Sequence, residues 1–142
     1  MRLCGKCKSE IDKYPLDFYS VGHVVFGYVT YILVFFIGML IENLYIRNGA
    51  LMHTLGITIL VGLLWELVEN NLIVKKKSFK KCQDSLNNSL CDILCVAIGG
   101  IIAGFLIFHF IDDLFTLFIL NILILLGMFL VFYITGTITF NK

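Results

Sequence analysis

At 142 residues, 59% hydrophobic and only 15% charged, with mean hydropathy +0.93, the chain has too little polar surface for a soluble domain of its size. Its net charge is close to neutral at +1, so the placement of the charges carries more information than their sum. The composition predicts an all-α polytopic membrane protein with four transmembrane helices.

The arm of residues 1–18 holds seven charges and no apolar h-region. It does not read as a secretory signal peptide, so the first span is expected to be retained and to direct insertion. Cys4 and Cys7 form a CxxC on this arm, and Cys82 would share its side of the membrane. Together they fall one ligand short of a structural zinc site, and reduced thiols on a flexible arm are the simpler reading.

Four apolar runs follow, each long enough to cross about 30 Å of hydrocarbon at about 1.5 Å per residue. They lie near 19–41, 50–69, 90–110 and 114–135, giving a transmembrane domain of 19–135. The joints are polar: Asn43, Arg47, Asn48 and Gly49, then a lysine-rich loop over 70–89, then Asp112 and Asp113; a tail of 136–142 follows the last run.

In the first span His23, Gly27, Thr30, Tyr31, Val34 and Gly38 form one line. In the second, Thr54, Thr58, Gly62, Glu66 and Asn70 recur every four residues, with Glu69 beside them. Asp84, Asn88 and Asp92 open the third with the same period, and Cys95, Gly99 and Ala103 continue that face. Stripes of small and polar residues let helix backbones approach closely in lipid. They predict three helices packed together and a peripheral, lipid-facing fourth whose one mid-span polar residue is Asn121. Gly100 and Gly104 add a GxxxG pair. Cys91 and Cys95 read as small packing residues, and His53 and His109 as snorkelling or capping groups near the far face.

Four spans put Arg2, Lys6, Lys8, Lys13, the five lysines of 75–81 and Lys142 on one side, and Arg47 alone on the other. The positive-inside rule then places both termini in the cytoplasm, with a plasma or inner membrane expected. That orientation gathers the unusual residues at one level. WELVEN (65–70) closes the second span, DSLNNSLCD (84–92) opens the third, and His23 lies just inside the first, all at the inner interface. Ionised groups kept beside a span usually face a partner, a cavity or a substrate.

WExxEN followed by DSxxNSxxD resembles an uncharacterised family of small bacterial inner-membrane proteins, a domain of unknown function. The same residues are more distantly similar to the VanZ-like membrane proteins. The matching positions are Trp65, Glu66, Glu69 and Asn70, then Asp84, Ser85, Asn88, Ser89 and Asp92, with an HxxxG at His23 and Gly27. Phe26 stands where the resemblance leads one to expect a second histidine. The likeness spans roughly residues 18–105 and implies a multi-pass membrane protein without an established activity. Some VanZ-like members affect resistance to glycopeptides that act at the cell envelope.

Read for chemistry, Glu66, Glu69, Asp84 and Asp92 offer carboxylate oxygens suited to a divalent cation such as Mg²⁺ or Mn²⁺. Such an ion would polarise a phosphoryl or acyl oxygen of a lipid, with His23, Glu66, Glu69 and Asp92 as the candidate catalytic residues. Trp65, Asn70, Ser85, Asn88, Lys77 and Lys80 would contact the substrate, the lysines attracting anionic headgroups at about 1 kcal/mol each. The competing reading is a non-catalytic scaffold in which the cluster is interhelical glue, each bond giving about 0.6 kcal/mol. Transport is the weakest reading, because the third span offers no acid between Asp92 and Asp112 and four helices make a narrow bundle unless a homo-oligomer forms. Membrane lipids are the expected partners. A lysine run without interleaved aromatics does not argue for nucleic acid, and no Walker, GxSxG or Rossmann motif occurs.

Overall fold

The computed structural model describes residues 16, 18–42, 48–73 and 86–140. Asp84, Ser85, Lys77, Lys80, Cys4, Cys7 and Cys82 therefore lie outside the described residues. The described residues form four α-helices: α1 (Phe18–Glu42), α2 (Asn48–Val68), α3 (Leu86–Phe110) and α4 (Leu114–Phe140). A five-residue π-helical turn, Glu69–Ile73, continues α2. All four helices are long and apolar enough to cross a membrane, so the protein is an all-α, multi-pass membrane protein.

Burial ranks the helices. Half of the apolar window of α3 is buried, against 6% of that of α4, so α3 is the central helix and α4 the lipid-facing one. The stripes explain the packing. Thr54, Thr58, Gly62 and Glu66 on α2, and Asn88, Asp92, Cys95, Gly99 and Ala103 on α3, are all buried. On α1 the buried line runs through Ser20, His23, Gly27, Tyr31 and Phe35, while Gly38 is only half-buried. The hydroxyls of Thr54 and Thr58 donate to the carbonyls of Ala50 and Thr54 at 2.8 Å, so these polar side chains are satisfied within their own helix.

Helices α1 and α3 cross at two glycines. A Cβ built on Gly27 would run into the backbone of Val96, and one on Gly99 into the carbonyl of Val24 and the amide of Tyr28. Backbone therefore lies on backbone here, an approach that any side chain at either position would prevent. Val96 also fills the space over Gly62, 3.0 Å from where its Cβ would be, which seats α2 on the same stretch of α3.

The apolar core lies deeper, where Tyr28, Tyr31 and Phe35 of α1 meet Ala103, Leu106 and Ile107 of α3 and Leu117 of α4. Gly100 and Gly104 make room for Tyr31 within the chain: a Cβ on Gly104 would sit 2.8 Å from the Tyr31 hydroxyl. That hydroxyl donates to the Leu51 carbonyl at 3.0 Å, tying α1 to the start of α2. Asn121 anchors α4. Its Oδ1 accepts the Tyr28 hydroxyl, and its Nδ2 donates to the Leu117 carbonyl at 2.8 Å. At the other end of α4, Phe132 stacks on Phe18 with ring centres 4.4 Å apart. The turn before α4 is capped by Asp113, whose Oδ1 accepts the Thr116 amide at 3.0 Å.

Candidate functional site

The start of α1, the end of α2 and the start of α3 meet at one end of the bundle, and three ionisable side chains are buried there. His23 is 8% exposed, Glu66 6% and Asp92 2%. Burying charge in apolar surroundings costs heavily unless each group is paired or hydrogen-bonded, so the partners decide what each residue is for.

Asp92 is well partnered. Its Oδ1 accepts the Ser20 hydroxyl from α1 at 2.8 Å, and its Oδ2 accepts Asn88 Nδ2, one turn earlier on α3, at 2.8 Å. His23 Nε2 lies 3.8 Å from Asp92 Oδ2 and 3.7 Å from Glu66 Oε1, close enough for ionic attraction and too far for a hydrogen bond.

Glu66 is partnered on one side. Its Oε2 accepts a long bond from Asn70 Nδ2 at 3.4 Å, and the same amide reaches Ser89 Oγ on α3 at 3.3 Å. Its Oε1 is buried and has no hydrogen-bond partner among the described residues. Glu69, in the π turn, accepts Trp65 Nε1 on Oε2 at 3.0 Å. A π turn inside or at the end of a helix often marks a functional site, and here it carries both Glu69 and Asn70.

His23, Glu66 and Glu69 each present one ligand atom, and the three atoms lie within 4.8 Å of one another. Donors about 2.1 Å from one ion lie about 3.0–3.4 Å apart in tetrahedral or cis-octahedral geometry, so the group would have to draw in by rather more than an ångström to close on an ion. Beside it an open cavity of about 290 Å³ is lined by Tyr19, His23, Phe26, Trp65, Glu69 and Phe132, with Gly22 in its wall.

Of the candidates drawn from the sequence, His23, Glu66, Glu69, Asn70, Asn88, Trp65 and Asp92 come together here. The arrangement divides them. His23, Glu66 and Glu69 converge on a common point, whereas Asp92 is engaged by Ser20 and Asn88. Ser20, Tyr19 and Phe132 belong to the site and were not expected. Continuing the His23–Gly27 line one turn back would have found Ser20; nothing in the sequence marks Phe132 of the distant α4. His53 and His109 are exposed outside this group, and His109 Nδ1 lies 2.9 Å from the Phe105 carbonyl.

No curated protein and no solved structure matches the chain. A match does extend over residues 5–141, nearly the whole sequence, to the family described as "Protein of unknown function (DUF2585)". The chain thus belongs to this DUF2585 family of proteins of unknown function.

Proposed function

We propose that this protein holds a divalent cation through His23, Glu66 and Glu69 at the cytoplasmic interface of a plasma or inner membrane, and uses it to bind or act on a lipid or lipid-linked headgroup. One observation carries the reading. Three ligand atoms lie within 4.8 Å, and Glu66 Oε1 is buried with no hydrogen-bond partner among the described residues. A cation would give that oxygen a close partner, which His23 at 3.7 Å does not supply as a hydrogen bond. One imidazole beside two carboxylates favours Mn²⁺ over Mg²⁺, because Mg²⁺ prefers all-oxygen shells that keep several waters. When bound, the ion would polarise a phosphoryl or acyl oxygen.

The chain's own residues would shape the rest. Asn70 steadies Glu66, and Trp65 steadies Glu69 through its indole N–H. The ends of the helices at this level connect through 1–17, 74–85 and 141–142, which hold every Lys and Arg except Arg47. Those charges support cytoplasmic termini, and Lys77 and Lys80 would draw anionic groups toward the site.

The scaffold reading applies to a different part of the cluster. Asp92, bound by Ser20 and Asn88, ties α1 to α3 and is assigned to helix packing. The test is thermal unfolding of detergent-purified protein with Mn²⁺, Mg²⁺, Ca²⁺ or Zn²⁺. An ion at about a hundred times its dissociation constant should add about 2.7 kcal/mol of stability. The gain should vanish in Glu66→Gln. No response to any ion removes the metal from this proposal.

A further inference from the structure

We propose that the aromatic-walled cavity beside Glu69 receives an organic ammonium group, the positive end of a zwitterionic phospholipid headgroup. The inference rests on reading the site as a headgroup site, and not on the presence of the metal. Tyr19, Phe26, Trp65 and Phe132, from α1, α2 and α4, line the one cavity. Phe26 and Trp65 form a corner, with ring centres 5.8 Å apart and planes tilted by 39°. Gly22 keeps the wall thin; a Cβ there would lie 3.3 Å from the Phe132 ring. Glu69 also lines the cavity, held by the Trp65 indole.

The lining discriminates among occupants. A quaternary ammonium is attracted to aromatic faces within about 6 Å of the ring centre and has no N–H that needs an acceptor. A lone carboxylate on such a wall completes the match by charge. An acyl chain would instead desolvate Glu69 and His23 for nothing in return. An anionic headgroup without an ammonium would meet the Glu69 carboxylate with no positive group to set against it. An inorganic cation would take oxygen and nitrogen donors and leave the rings unused. Tyr19, one residue into α1, and Trp65, three residues before the end of α2, sit at the helix ends, the depth at which headgroups lie, while Phe26 and Phe132 form the deeper part of the wall.

Trp65 is the chain's single tryptophan and lines this cavity, so its fluorescence reports occupancy directly. The protein in maltoside detergent with chelator is titrated with choline, and with 3,3-dimethylbutanol as its neutral isostere. Choline should give a saturable change, the isostere one at least about tenfold weaker, which is about 1.4 kcal/mol. Phe26→Leu and Glu69→Gln should each weaken choline about tenfold. Short-chain phosphatidylcholine should bind more tightly than choline, and short-chain phosphatidylglycerol should give no response. An equal response to the isostere, or none to choline, overturns the ammonium site. Phosphatidylcholine no tighter than choline overturns the lipid as its source. Because chelator is present, a choline response with no Mn²⁺ stabilisation breaks only the metal reading, and the reverse pattern breaks only this one.

Discussion

Glu66 and Asp92 are both buried carboxylates at one end of the bundle, yet their partners make opposite predictions. Each Asp92 oxygen accepts a bond at 2.8 Å. Asp92→Asn must turn an amide nitrogen toward either the Ser20 hydroxyl or the Asn88 amide, and the second choice sets donor against donor. A loss of about 1–3 kcal/mol in thermal stability is expected, with or without added ion. Glu66→Gln removes a charge whose Oε1 has no hydrogen-bond partner among the described residues, so its stability without ion should change by less than about 1 kcal/mol. Asp113 gives a second residue-scale test, outside the spans. The Thr116 hydroxyl and amide hold its carboxyl below the ordinary value of 3.8. A depressed carboxyl stabilises the folded state above its unfolded value, and that contribution is lost as pH falls through the folded value. Wild type and Asp113→Asn should therefore differ in the slope of unfolding midpoint against pH below about 4, the variant being flatter.

Glycines on one helix face look alike in a sequence, and the packing separates them. Gly27 and Gly38 both belong to the α1 line. A methyl on Gly27 meets the Val96 backbone, which cannot move aside as a side-chain end could, whereas one on Gly38 meets nothing within 4 Å. Gly27→Ala should cost about 1–3 kcal/mol or prevent assembly of α1 on α3. Gly38→Ala should be neutral, or stabilise by up to about 1 kcal/mol through helix propensity. The same comparison explains the GxxxG pair, which the sequence alone could not assign. Gly104 leaves room for the Tyr31 hydroxyl, and Gly104→Ala should dislodge that hydroxyl from the Leu51 carbonyl. Equal effects of Gly27→Ala and Gly38→Ala on unfolding would mean that the α1–α3 crossing is not the contact that organises the bundle.

At the scale of the whole molecule, the helices were legible because bilayer thickness sets the length of an apolar run, and the inward faces because small and polar residues recur with the helical period. The site was legible only in its residue types and its end of the bundle. The pairing of Ser20 with Asp92, the π turn at Glu69 and the arrival of Phe132 at the cavity depend on contacts between distant helices, and no local pattern encodes them. Charge asymmetry makes the remaining whole-molecule prediction. Segments continuing from the site's end hold all Lys and Arg but Arg47, and each such charge near an anionic leaflet contributes about 1 kcal/mol. That bias predicts that the site faces the cytoplasm, where Mn²⁺ and inner-leaflet headgroups would reach it. Asp112→Cys, exposed in the turn at the opposite end, should react with a membrane-impermeant maleimide in intact cells, while the native Cys82 should react only after permeabilisation. The reverse labelling would put the His23–Glu66–Glu69 group on the outer face, and the headgroups available to it would then be those of the outer leaflet.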